Sequence, residues 1–206
     1  MSERATTDGM RAPRQARSQD STGRLLDAAL AILARDGMAG LTTAAVSRES
    51  GVSNGALYHR FRDRRNLLLA AQDRFLSRLE TDWLAATALI GQESRREILP
   101  RLIKAILGVF AEYRDVFQAF MVSGHDDPAL RERGAETSRR MAGFVTGQLA
   151  ERFGCSPDAA DTAYRILFGQ LTLIALFPDN EVSALAVPAE VRTEHMTRAL
   201  EAVLGS

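Results

Sequence analysis

The chain has 206 residues, 46% of them hydrophobic, enough for one or two domains with a buried core. No run of about 18 apolar residues marks a membrane span, no continuous apolar segment near the N-terminus reads as a secretory signal, and the single cysteine, Cys155, permits no internal disulfide, which predicts a reducing, cytoplasmic compartment. A formal net charge of zero argues by itself against a nucleic-acid partner, but residues 1–65 hold 11 Arg against 7 Asp and Glu, net +4, and residues 66–206 are net −4, the asymmetry of a nucleic-acid-reading head on a different body.

Residues 1–19 are polar, include Gly9 and Pro13, and lack periodicity. They read as a flexible arm, whose Arg11, Arg14 and Arg17 can reach phosphates or a minor groove, although the composition favours a solvated, disordered tail. Asp20, Ser21 or Thr22 caps a first helix that runs to about Asp36, with Leu26, Ala29, Leu30 and Leu33 at helical spacing. Gly37 ends it.

The next stretch, LTTAAVSRESGVSNGALYHRF (41–61), carries the most information. Thr42 is an N-cap, Ala44 to Ser47 continue a short helix, and Gly51 stops it by taking the left-handed conformation. Ser53 is a second N-cap, and Asn54 to His59 form the following helix. Val46, Val52 and Leu57 are spaced to meet inside, in a three-helix core with Leu26, Leu30, Leu33 and Phe61. Asn54, Ala56, Tyr58, His59 and Arg60 are left outside. Two short helices joined by a Gly-containing turn form a helix-turn-helix, whose second helix enters the DNA major groove by its N-terminal end. Asn54 and His59 can hydrogen-bond base edges, Ala56 can meet a thymine methyl, and Tyr58 can reach a phosphate. Arg60, Arg62, Arg64 and Arg65 read as a phosphate clamp.

Together with LLDAALAILARDG (25–37) and RDRRNLLLA (62–70), this stretch resembles the DNA-binding domain of the TetR-type transcriptional regulators over Thr22 to about Leu79. The GVS-x-G-x-LY-x-x-F pattern at 51–61 is the specific part. The resemblance implies DNA contacts from Thr43, Ser53, Asn54, Gly55, Ala56, Tyr58 and His59, and a backbone contact from Arg64. Asn54 stands where the family often has Lys or Arg, and Arg64 where it often has Lys; both substitutions bear on operator choice. Beyond about Leu79 the chain resembles the family only in helix layout.

Asp63 caps a fourth helix, Arg64 to about Leu89, with Leu68, Ala71, Phe75, Leu79 and Trp83 as its stripe. The resemblance implies that this helix is the mechanical link into the second domain. Gly91 breaks the pattern. A helix from about Arg95 to Glu112 follows, with Pro100 near its start, then a short segment from Arg114 to Val122. Asp127 and Pro128 open a helix to about Phe153, with Met141, Phe144, Val145 and Leu149 on one face. Ser156 and Pro157 open another, to about Phe177. After a loop, Pro178 to Val187, the last helix spans about Pro188 to Leu204. The helix before that loop is apolar on more than one side, so it must be buried on several; with small Ala160, Ala163 and Gly169 it predicts a homodimer packed through the last two helices as a four-helix interface. The resemblance implies the same.

The chain thus reads as all-α, with about nine helices: an arm (1–19), a helix-turn-helix domain (20–66, motif about 42–61) and a helical ligand-binding and dimerisation domain (67–206). His59, His125 and His195 form no metal-ligand spacing, and His125-Asp126-Asp127 reads as a helix start. No catalytic residue, cofactor or metal is expected. Trp83, Phe110, Tyr113, Phe117, Phe120, Met121, Met141, Phe144 and Phe168 lie on helices that should converge, with Gln118, Gln170 and Tyr113 as polar candidates, an interior suited to a small apolar effector. Each of these residues also fits plain core, and the pocket rests mainly on the resemblance. The reading is a regulator, in the main a repressor, released from a near-palindromic double-stranded DNA operator by a small molecule. An activator or ligand-independent regulator with the same head, or a small-molecule-binding or enzymatic helical protein, are the alternatives.

Overall fold

A computed structural model describes residues 11–88, 94–124, 126–185 and 187–205, without the side chains of 11–18, 123 and 179. These residues form helices α1 (Arg11–Gly40), α2 (Thr43–Ser50), α3 (Asn54–Phe61), α4 (Arg64–Ala88), α5 (Arg95–Gln118), α6 (Pro128–Phe153), α7 (Pro157–Leu176), the single turn α8 (Asp179–Val182) and α9 (Ala189–Leu204). No strand occurs among the described residues. The chain divides into two compact units, Met1–Arg74 and Phe75–Ser206, and the division falls inside α4.

In the first unit, α1 starts at Arg11 rather than at the expected cap near residue 20. Pro13 falls in the first turn, where its missing N–H has no helical partner to lose, and Ala, Arg and Gln around it are good helix formers. Residues 11–19 of the expected arm are therefore helical, while residues 1–10 and the side chains of Arg11, Arg14 and Arg17 lie outside the description. Gly37 breaks the helix as expected, at φ 65 and ψ −165. The buried stripe is Leu25, Ala28, Ala29, Ile32 and Leu33, with Leu30. Leu26, expected inside, is half-buried, because Leu25 holds the inward position of that turn.

The motif closes on local chemistry. The Thr42 hydroxyl accepts from the Ala45 N–H at 3.1 Å, and the Ser53 hydroxyl accepts from the Ala56 N–H at 3.3 Å. Gly51 takes φ 65 and ψ 17, the left-handed conformation that suits a residue without Cβ. Ser47 donates to the Val52 carbonyl across the turn. Val46, Val52, Leu57 and Phe61 are buried. Asp63 caps α4 through the Asn66 N–H at 2.7 Å. Leu67, Leu68 and Ala71 are buried and Arg74 pairs both its Nε and Nη2 with Asp27 of α1, so the first unit extends beyond residue 66.

In the second unit α7 packs against α5, α6 and α9, and α5 also packs against α9. α5 begins at Arg95 with Pro100 inside it, and runs on through Tyr113 and Arg114, where the sequence suggests a break. It passes directly into one π-turn, Ala119–Ser123, closed by Gly124 N–H to the Ala119 carbonyl. Asp127 caps α6 by accepting from the Ala129 N–H at 2.9 Å, Pro128 takes the first helical position, and Gly154 ends the helix at φ 64. Ser156 and Pro157 open α7 in the same way. The expected break at Gly91 and the expected helix start at His125 lie outside the described residues.

Candidate nucleic-acid interface

Burial of Leu57 and Phe61 fixes which side of α3 faces away from its own core. Ser53, Asn54, Gly55, Tyr58 and His59 are exposed, and Ala56 is half-buried. Beyond its own helix backbone, a Cβ added at Gly55 would meet none of the described residues within 4 Å, so packing does not demand glycine there. The first turn of α3 thus presents a low surface with an amide and an imidazole close by, which is what a base-reading helix needs. Thr43, at the start of α2, is half-buried, and its hydroxyl lies 3.2 Å from that of Tyr58. Two hydroxyls from two helices therefore share one spot at the edge of the motif, a geometry suited to a phosphate oxygen.

The expected arginine clamp is divided. Arg60 donates from Nη2 to the Ser21 hydroxyl of α1 at 2.9 Å and is half-buried. Arg64 is exposed, but its Nε donates to the Leu41 carbonyl and its Nη2 to the Met38 carbonyl. Both guanidinium groups thus engage the protein's own acceptors. Arg62 and Arg65 are exposed.

In the second unit several expected ligand-site residues meet. Trp83 packs edge-on against Phe110 (6.0 Å between centroids) and Tyr164 (6.4 Å), and Phe110 against Phe117 (5.2 Å) and Phe168 (6.4 Å). Phe120 stacks on Phe75 at 5.5 Å, and Phe75 meets Tyr113 edge-on. Tyr113 donates to Asp82 at 2.5 Å; burial first, and then this bond, pushes its hydroxyl up to about 12. Burial likewise pushes Tyr164 up to about 12. The Trp83 Nε1–H is buried with no hydrogen-bond partner among the described residues. Met141 is buried too, whereas Met121 and Phe144 are exposed; Phe144 points off the face that carries Met141, Val145 and Leu149. Tyr164 and Phe75 also belong to the cluster, outside the ligand-site residues expected from sequence; the four-residue spacing of Tyr164 and Phe168 is the signal that points to Tyr164.

A groove of about 430 Å³ lies elsewhere, between α7, α9 and the segment joining them, lined by Ile166, Gln170, Leu173, Ile174, Leu185 and Met196 among others. Of the expected ligand residues, Gln170 alone lines it. Ala160 and Ala163, expected at a dimer contact, are instead buried within the chain, where α7 meets its own neighbours, while Gly169 is exposed. Among the described residues no helix is long and apolar enough to cross a membrane.

A capped helix-turn-helix with an exposed reading turn, followed by a helical second unit, defines a DNA-binding regulator. Residues 25–71 match the sequence model of bacterial regulatory proteins of the tetR family. The chain is 29% identical over 167 residues to the HTH-type transcriptional regulator CymR of Pseudomonas putida, covering 78% of this chain and 80% of that one. Its fold is similar to a crystal structure assigned to the TetR family of transcriptional regulators from Mesorhizobium loti, with a TM-score of 0.75 at 18% identity, over 92% of this chain and 97% of the other. It is also similar to the multidrug binding protein EbrR, solved with malachite green, at a TM-score of 0.64 and 21% identity, over 88% and 96%. Residues 25–71 are thus similar to the DNA-binding domain of the tetR family, and the chain is a DNA-binding transcriptional regulator.

Proposed function

We propose that this regulator is a cytoplasmic, homodimeric repressor that a small molecule releases from a near-palindromic operator. The observation that carries the reading is the exposed first turn of α3, Ser53 to Gly55 with His59, held outward by burial of Leu57 and Phe61. Asn54 and His59 read base edges, and Thr43, Tyr58 and Ser53 meet the DNA backbone. The partner face is α7 with α9, since Ile166 of α7 and Leu185 of the joining segment are exposed beside Leu173, Ile174 and Met196, and Val191 of α9 is exposed too. Such an apolar face on a helical pair suits a two-fold related copy.

The aromatic interior around Trp83, Phe110 and Phe168 is the effector site. The effector must bind the operator-free conformation better than the operator-bound one, because only differential affinity shifts the equilibrium. Relatives support a ligand-responsive reading, EbrR having been solved with malachite green. Selection of the purified protein against random duplex DNA tests the function. Enrichment of two inverted half-sites is expected. A folded protein that enriches nothing at low salt overturns the reading.

A further inference from the structure

Arg64 opens α4, where the resemblance to TetR-type regulators implies a contact to the DNA backbone. Its guanidinium is committed elsewhere. Nε donates to the Leu41 carbonyl and Nη2 to the Met38 carbonyl, both at 2.5 Å. These carbonyls flank Gly40, whose own carbonyl accepts from the Thr42 N–H at 2.9 Å. The connection between α1 and α2 is therefore tied from both sides: by a local bond to Thr42, and by a side chain 23 residues further along the chain. Thr42 then caps α2, and Thr43 meets the Tyr58 hydroxyl on α3. A continuous line of bonds runs from the start of α4 to the reading helix.

The two bonds use Nε and Nη2, adjacent donors on one edge of a planar group. A lysine ammonium is a compact point charge on a flexible stem and does not reproduce that fork. We propose that Arg64 is a positioning residue for DNA reading: it holds the Met38–Leu41 segment, and through Thr42 and Thr43 it sets where α2 and α3 lie. Arg60, in the last turn of α3, is likewise tied to another helix, through Ser21 of α1. The inference rests on the DNA-binding reading of this unit, so its test has one arm that needs no DNA.

The full-length protein and its Arg64→Lys and Arg64→Ala variants are compared. The first arm follows amide hydrogen exchange at Leu41 to Val46 in the free protein. The second measures affinity for the duplex enriched by selection and for a random-sequence duplex, across salt concentration. Arg64→Lys keeps the charge and most of the length, so it keeps the experiment informative if Arg64→Ala unfolds the unit. Positioning predicts faster exchange at those amides in both variants, a loss of about tenfold or more in discrimination between the two duplexes, and an unchanged salt slope, with no rescue by lysine. A phosphate contact predicts the reverse: normal exchange, retained discrimination, full rescue by lysine, and a slope lowered by about 0.9 in Arg64→Ala. That second pattern overturns the proposal, as does faster exchange with discrimination intact. If the wild-type protein discriminates nothing, the regulator reading fails instead, and the exchange arm still decides whether Arg64 braces the segment.

Discussion

At the α3–α4 corner, Arg62 is a non-glycine residue with positive φ (φ 64, ψ −43). The Asp63 N–H donates to the Phe61 carbonyl at 2.7 Å, so Arg62 is the centre of a γ-turn of the strained hand. Such a backbone costs a non-glycine residue about 1–3 kcal/mol. Glycine removes most of that cost and returns about 0.4–1 kcal/mol as extra freedom of the unfolded chain. Arg62→Gly should leave the first unit equally stable or slightly more so in urea unfolding, while Arg62→Val, with a branched Cβ, should destabilise it by about 1 kcal/mol or more. Gly55 poses the opposite case. Its α-helical position and empty surroundings mean that Gly55→Ala should raise stability by up to about 1 kcal/mol, yet weaken operator binding if the duplex lies against that turn. Equal or tighter binding by the alanine variant would move the reading face off Gly55. Asn54→Ala and His59→Ala should each change preference at particular base pairs by about 1–3 kcal/mol in a binding selection.

The caps and stops of the helices were legible because each is settled within four residues. Thr42, Gly51, Ser53, Asp127 and Ser156 act on neighbours in sequence, and each sits where its residue type predicts. The roles of Arg60 and Arg64 were not legible, since their acceptors at Ser21, Met38 and Leu41 come from a different helix and its connection. Periodicity fixed that α1 and α7 have buried faces but could not choose which side faces the chain itself. In α7 the small Ala163 turned out to face inward at 1% exposure, and Gly169 outward. A dimer test by arginine substitution therefore belongs at Gly169, where added atoms meet nothing. Gly169→Arg should leave far-ultraviolet circular dichroism unchanged and yield monomers by sedimentation. Ala163→Arg should instead unfold the second unit, because it drives an unpaired charge into packed core. The same unit should show an alkaline limit. Tyr113 and Tyr164 have hydroxyls raised to about 12 in the folded state against about 10 when unfolded. The folded state thus holds its protons longer, so stability is full below pH ~10 and falls as pH rises from ~10 through ~12. Tyr164→Phe should flatten that fall in denaturant titrations; an unchanged profile would locate the loss elsewhere.

For the whole molecule, the division of charge and the division into compact units act together. Residues 1–65 are net +4 and the remainder net −4, so attraction to DNA is concentrated in the unit that carries α3, and the other unit repels the duplex. In the proposed dimer, two α3-bearing units joined through α7 and α9 would convert the second contact into an intramolecular event, which would raise affinity by about 10²–10⁴ without any new contact. Gly169→Arg separates these contributions, because it leaves Met1–Arg74 untouched. The monomer should bind the selected duplex more weakly by about that factor, and its salt slope should fall to roughly half, since each head releases only its own counterions. On a duplex carrying a single half-site, monomer and dimer should differ far less. If the monomer kept the full slope and affinity on the two-site duplex, one head would account for the whole contact, and the inverted half-sites would have to be read by some other arrangement than α7 and α9 of two copies.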